Sequence, residues 1–246
     1  MSRNFDILHR EATETIRLRP AAVPAREPTV TRARTVPDAE AAAEIKKLVQ
    51  RVFVLPTTNV PSAVAFCGVD EGAGCSWVCS RASEALAEQG SGTVCVVDAN
   101  YRSSSLHEHF RVEKSGGLAD AMKDSTPIRD FARPTWHSNL WLITSGAVGP
   151  EPNGALNPAR LRARFSELRE AFDYLLIDTP AMNSYADAVL LSQLTDGIVL
   201  VIGSNSTRRE PARIAKESLE AARVPVLGAV LNRRTYPIPE GLYQRL

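Results

Sequence analysis

The sequence predicts an α/β protein: a mostly parallel central sheet with helices on both faces, in three layers. Three observations carry this expectation. Short apolar runs alternate with helical patterns along most of the chain. The runs are unbroken rather than alternately apolar and polar, which marks strands covered on both faces. Two of them end in aspartate, Asp98 and Asp178, at the carboxyl edge where such sheets place a ligand crevice.

Residues 1–38 read as a disordered, mildly basic arm rich in proline, alanine and arginine, with a short helix at 5–18. The arm is either a tether or a docking segment. A helix is expected over 38–53, opened by Asp38, with Ile45, Leu48, Val49 and Val52 on one stripe and Glu44 paired with Lys47. That stripe suits core packing or an intersubunit face. The first strand is 63–67, followed by a glycine loop and a helix over 76–89 that Gly90 closes. Strand 93–97 leads to Asp98, then to a serine-rich stretch ending at His107. A helix starts near Gly116-Gly117, strand 139–143 follows, and 145–157 is a Gly/Pro loop. Helix 158–171 turns Leu161, Phe165 and Leu168 inward. Its arginines Arg160, Arg162, Arg164 and Arg169 are expected on a solvated face. Strand 174–177 leads into Asp178-Thr179-Pro180, and helix 185–194, strand 197–202, helix 208–222 and strand 226–231 complete the main body, 39–235. Residues 236–246 are a short tail.

The stretch from Gly68 to Ser76 carries the chemistry. Strand, glycine loop and helix form the context of a phosphate-binding loop, and the spacing from Gly68 to Ser76 reads as G-x-x-x-x-G-x-S. Gly72 and Gly74 would let backbone N–H groups approach phosphate at a helix N-terminus. The position before the serine, where such loops hold lysine, is Cys75. A cysteine supplies no cation there, and its thiolate would repel phosphate. Asp70 and Glu71 add two acids to the same loop.

Formal net charge is +1, so no global field draws the chain to nucleic acid or an anionic membrane, and no nucleic-acid partner is expected. No apolar run reaches the ~18 residues of a membrane span, and the first residues lack a secretory pattern, so a cytoplasmic protein is expected. Of the four cysteines, Cys67, Cys75, Cys79 and Cys95, the pair Cys75 and Cys79 stands one helical turn apart. A metal pair is conceivable, but the spacing is not that of zinc, and buried apolar thiols are the simpler reading. His107, His109 and His137 read as surface or loop residues. Trp77 reads as core packing or as a ring filling space near the loop.

Four stretches together resemble a known family. They are the loop from Ala63 to Ser76, V-C-V-V-D-A-N-Y-R (94–102), Y-L-L-I-D-T-P (174–180) and G-A-V-L-N (228–232). G-G-L-A-D-A-M and S-G-A-V-G-P-E-P-N resemble further landmarks. The set resembles the bacterial tyrosine kinases (BY-kinases), P-loop ATPases that partner polysaccharide chain-length proteins. They are related to the partition and division-site ATPases with a deviant Walker A loop. The resemblance covers about residues 40–235, and it implies a P-loop NTPase-like fold with ATP and Mg²⁺ as cofactors. It also implies a membrane polysaccharide chain-length or export protein as partner, peripheral placement at the inner membrane, and assembly with itself or an active paralogue.

The resemblance further implies that Ser76 ligates Mg²⁺, that Asp98 is the Mg²⁺-side acid and candidate base, and that Asp178 holds Mg²⁺ through water. Arg102 would sit beside the second acidic motif, and Asn232 would read the base. Asp98 and Asp178 are otherwise plain caps or turn residues. The departures from the pattern are Cys75 for lysine, Asn100 for the second acid of D-x-D, Asp70 near the place of the partition ATPases' extra lysine, and a tail with Tyr236 and Tyr243 alone. Phosphoryl transfer rests on positioning and charge stabilisation, and losing one such group costs ~10²–10³ in rate. The expectation is therefore a catalytically impaired BY-kinase-like regulator in capsule or exopolysaccharide synthesis and export. An active kinase or ATPase with a cation from a neighbouring subunit, and a partition-type positioning ATPase, are the alternatives.

Overall fold

The computed structural model describes residues 38–55, 58–90, 92–146, 157–204 and 206–234. The expected arm, most of the 145–157 loop, and Tyr236 and Tyr243 lie outside them.

Among the described residues the sheet has seven strands in the order β3-β4-β2-β5-β1-β6-β7. These are β1 (Ala63–Gly68), β2 (Val94–Asp98), β3 (Arg133–Pro134), β4 (Leu140–Ile143), β5 (Tyr174–Thr179), β6 (Gly197–Gly203) and β7 (Val226–Asn232). All pairings are parallel except β3 with β4. The helices are α1 (Asp38–Val49), α2 (Cys75–Ala87), α3 (Leu106–Phe110), α4 (Leu118–Ala121), α5 (Pro158–Ala171), α6 (Asp187–Ser192) and α7 (Arg209–Ala221). α1 runs on into a π-helical turn, Gln50–Val54, that buries Val52 and Phe53.

The central strands explain their unbroken apolar composition. Side chains alternate between faces, and each face has its own core. Val64, Phe66, Val94 and Val96 pack with α1, α2 and α3. Ala63, Cys95, Val97, Leu175 and Ile177 pack with α4 and α5, and Ala65, Cys67, Ile198 and Leu200 with α7. The three expected layers are present. Val49 of α1 is fully buried and Ile45 nearly so, so this stripe packs into the core.

Four sequence expectations need correction. The two-residue antiparallel strand β3 was not expected. The serine-rich stretch contains α3, so His107 and His109 are half-buried on a helical turn rather than on a loop. α6 is shorter than the expected 185–194. Arg164 is not solvated: it is 4% exposed, and its guanidinium donates to the carbonyls of Ala121 (3.1 Å), Thr126 (2.9 Å) and Asp124 while pairing with Glu167 at 2.8 Å. Arg169 stays exposed as expected, and pairs with Asp196 at 2.9 Å. The start of α5 was readable: Asn157 accepts from the backbone N–H groups of Ala159 and Arg160, with Pro158 in the first turn.

Candidate functional site

The site lies at the carboxyl edge of β1, β2 and β5. Asp178 pairs with Asp98 across β2–β5 and with Phe66 across β1–β5, so the sheet itself brings the two acids beside the loop. Gly68 ends β1 rather than opening the loop. Five residues separate it from Gly74, one more than the G-x-x-x-x-G count allows, so Gly72 and Gly74 are the loop glycines. Both have positive φ, +75° and +83°, which glycine adopts freely. Gly74 caps α2, and Cys75 is that helix's first residue.

Ser76 donates its hydroxyl to Asp178 Oδ2 at 2.5 Å. Asp178 is wholly buried, and its other oxygen, Oδ1, has no hydrogen-bond partner. Burial raises its carboxyl far above the ordinary range, and the charge of Asp98 raises it further, against the pull of Ser76 and Cys75. Asp98 is raised less. Burial lifts it, while bonds from Ser104, Leu106 and Asn100 hold it down. Its oxygens are already engaged: Oδ1 accepts from Asn100 N, and Oδ2 from Ser104 Oγ (2.8 Å) and Leu106 N. Asp98 thus braces the turn into α3. Asn100, at the place of a second acid, bonds Ser103 within the same turn.

The loop's own acids face away from a phosphate position. Asp70 accepts from Asn183 Nδ2 at 3.2 Å and Glu71 from the Tyr185 hydroxyl at 2.8 Å. Arg102 reaches the same segment. Its guanidinium lies 4.1 Å from the Tyr185 ring centroid, beside Asp187 at 3.5 Å, and Tyr101 also bonds Asp187. Asn232 ends β7 and donates its amide to Ala73 O at 2.9 Å, so the last strand holds the loop. A β-carbon on Gly74 would lie 2.3 Å from that amide and 3.6 Å from Arg233 Nε. Tyr185, Asn183, Asp187 and Arg233 escaped the sequence reading, since no spacing ties them to the loop; Arg233 had only its place next to Asn232.

Cys75 is half-buried. Burial pushes its thiol well above the usual value, and the nearby Asp178 pushes it further, so it stays neutral. The expected thiolate repulsion is absent, while the missing cation remains missing. Cys67, Cys79 and Cys95 are buried thiols. Among the described residues no three His, Cys, Asp or Glu side chains gather as a metal site. Trp77, on α2, is half-buried against the core cluster, with Arg81 5.9 Å from its ring centroid.

The donor set suits Mg²⁺ in part. Ser76 and the unpartnered Asp178 oxygen would hold it, with the N–H groups around Gly72 and Gly74 facing phosphate; Asp98 would first have to release its present bonds. Bound metal supplies charge neutralisation on phosphate oxygens.

Comparison with known proteins gives a consistent picture. The family described as cellulose biosynthesis protein BcsQ matches residues 62–223. The tyrosine-protein kinase YwqD of Bacillus subtilis (strain 168) is 31% identical over 161 residues, 65% of this chain and 68% of that protein. The tyrosine-protein kinase CpsD of Streptococcus agalactiae is 29% identical over 171 residues, 69% of this chain and 74% of that one. Among solved structures, the chimerical protein CapA2B2 superposes with a TM-score of 0.72 at 24% identity, over 79% of this chain and 85% of that one. The septum site-determining protein MinD of Pyrococcus horikoshii OT3, complexed with Mg-ADP, gives 0.60 at 23%, over 74% and 76%. The solved structures share the P-loop NTPase-like fold. No helix among the described residues is long and apolar enough to cross a membrane.

Proposed function

The chain belongs to the bacterial tyrosine kinase family of P-loop ATPases, and from that premise we propose that it is a catalytically impaired member. It acts as a cytoplasmic regulator or partner in capsule or exopolysaccharide biosynthesis and export. One observation carries the reading: a neutral thiol, Cys75, begins α2 where phosphoryl transfer needs a cation. Two others support it. Asn100 serves a turn in place of a second acid, and the oxygens of Asp98 are taken up by the loop before α3. Such a chain keeps its shape for docking to a membrane chain-length or export protein, or to an active paralogue, at the inner membrane. The similarity to CpsD and to the chimerical CapA2B2 supports that class of partner.

The Ser76–Asp178 bond favours a second reading, an active ATPase or tyrosine kinase whose missing charge comes from a neighbouring subunit.

Phosphate release from Mg-ATP separates the two. The chain is expected at the buffer rate, and Cys75→Lys is expected to raise release by ~10-fold or more. Turnover by the unaltered chain that rises with its concentration and vanishes in Asp178→Ala would establish the second reading instead.

A further inference from the structure

Arg233 follows the last residue of β7 and stands in the left-handed backbone region, φ +57°. Only a few non-glycine residues adopt it, and such outliers concentrate where a site fixes the chain. The turn brings Arg233 Nε to 3.6 Å from where a β-carbon of Gly74 would be, at the N-terminus of α2. Asn232 fixes the approach by bonding Ala73 O in the same loop. A cation at the positive end of a helix is disfavoured unless an anion meets both. The acids nearest in the loop do not meet it: Asp70 is bonded by Asn183 and Glu71 by Tyr185. Among the described residues Arg233 forms no ion pair, and it is exposed. A second feature points independently to a ligand at this loop: the buried, unpartnered Oδ1 of Asp178, beside Ser76.

We propose that Arg233 replaces the absent loop lysine from the end of β7, so that the loop still binds the polyphosphate of a nucleotide. The inference rests on the reading of the chain as an impaired member of its family, and it separates binding from turnover. A guanidinium on the outer side of Gly74 neutralises a resting di- or triphosphate and offers it paired N–H donors. It comes from the end of β7, two strands from β1 in the sheet, and not from the position of Cys75, where a lysine would follow a phosphoryl group in transfer. Charge for holding the ligand is retained, and charge for moving the phosphoryl is not.

The test is calorimetric titration of the full chain with Mg-ADP, with a non-hydrolysable Mg-ATP analogue and with adenosine. Arg233→Ala should weaken both nucleotides at least ~10-fold, Arg233→Lys should weaken them less, and adenosine should bind all three proteins alike. Because Arg233 is exposed, unchanged thermal midpoints will show that the variants are folded. Equal nucleotide affinity in the unaltered chain and Arg233→Ala overturns the assignment. So does no nucleotide binding at all, which leaves the impaired-catalysis reading standing. An Arg233-dependent affinity with rapid turnover keeps the assignment and removes that reading instead.

Discussion

Arg164→Ala is expected to lower the unfolding free energy by ~3–4 kcal/mol, the largest loss of any single substitution considered for this chain. The guanidinium is buried at 4% exposure and serves three carbonyls, those of Ala121, Asp124 and Thr126, besides Glu167. Ala121 ends α4, and Asp124 and Thr126 lie in the irregular stretch between it and the 3₁₀ turn Ile128–Phe131. Truncation takes this donor from the Ala121 and Thr126 carbonyls, at a cost of ~1–3 kcal/mol for a buried group, while Asp124 O keeps Arg160. It also opens space under α5. Denaturant unfolding at pH 7 measures the change. Arg162→Ala, one turn face away and exposed, should stay within ~0.5 kcal/mol of the parent. Equal midpoints for the two variants would show that the carbonyls find water instead.

Asp178→Asn is expected to stabilise the metal-free protein, by an amount that grows with pH. The folded carboxyl titrates above the unfolded one because burial, and then the charge of Asp98, disfavour its ionised form. The folded state therefore binds more protons than the unfolded state between the two values. Stability contributed by this group is full below the ordinary aspartate value, near pH 4, and is lost as pH rises through the raised value. Asparagine carries no such charge, and its amide oxygen still accepts from Ser76. The two proteins should unfold alike near pH 4 and differ by ~2 kcal/mol or more by pH 8, in denaturation with a chelator present. Parallel stability curves from pH 4 to 8.5 would show that Asp178 ionises freely. A carboxyl held neutral in this way must release a proton before it can face a cation, so Mg²⁺ binding should strengthen as pH rises.

The central sheet was legible because its strands are apolar on both faces, which leaves runs such as 63–67 and 174–177 with no polar break. β3 was illegible for the opposite reason. It is two exposed residues, one of them Pro134, paired at an edge. α3 was hidden because part of what braces its first turn, Asp98, comes from another strand. Arg164 was misread because its burial is set by carbonyls some forty residues earlier, and spacing within α5 does not record them. The same division runs through the site. Gly72, Gly74 and Ser76 could be named because they lie in one contiguous loop-and-helix motif, and Asp98 and Asp178 because each follows an unbroken apolar run; the sheet register brings the two acids together. Tyr185, Asn183 and Arg233 meet the loop only through the tertiary fold.

The strand order also governs how the molecule comes into being. β1 occupies an inner position, yet its neighbours are β5 and β6, so Ala63 must wait for Leu175 and Val64 for Gly197. During synthesis this segment has nothing to pair with until most of the chain exists, and closing such distant contacts is slow, on the order of milliseconds to seconds. A nascent chain halted before Tyr174 would display a bare apolar ribbon, a target for chaperones and a seed for clumping.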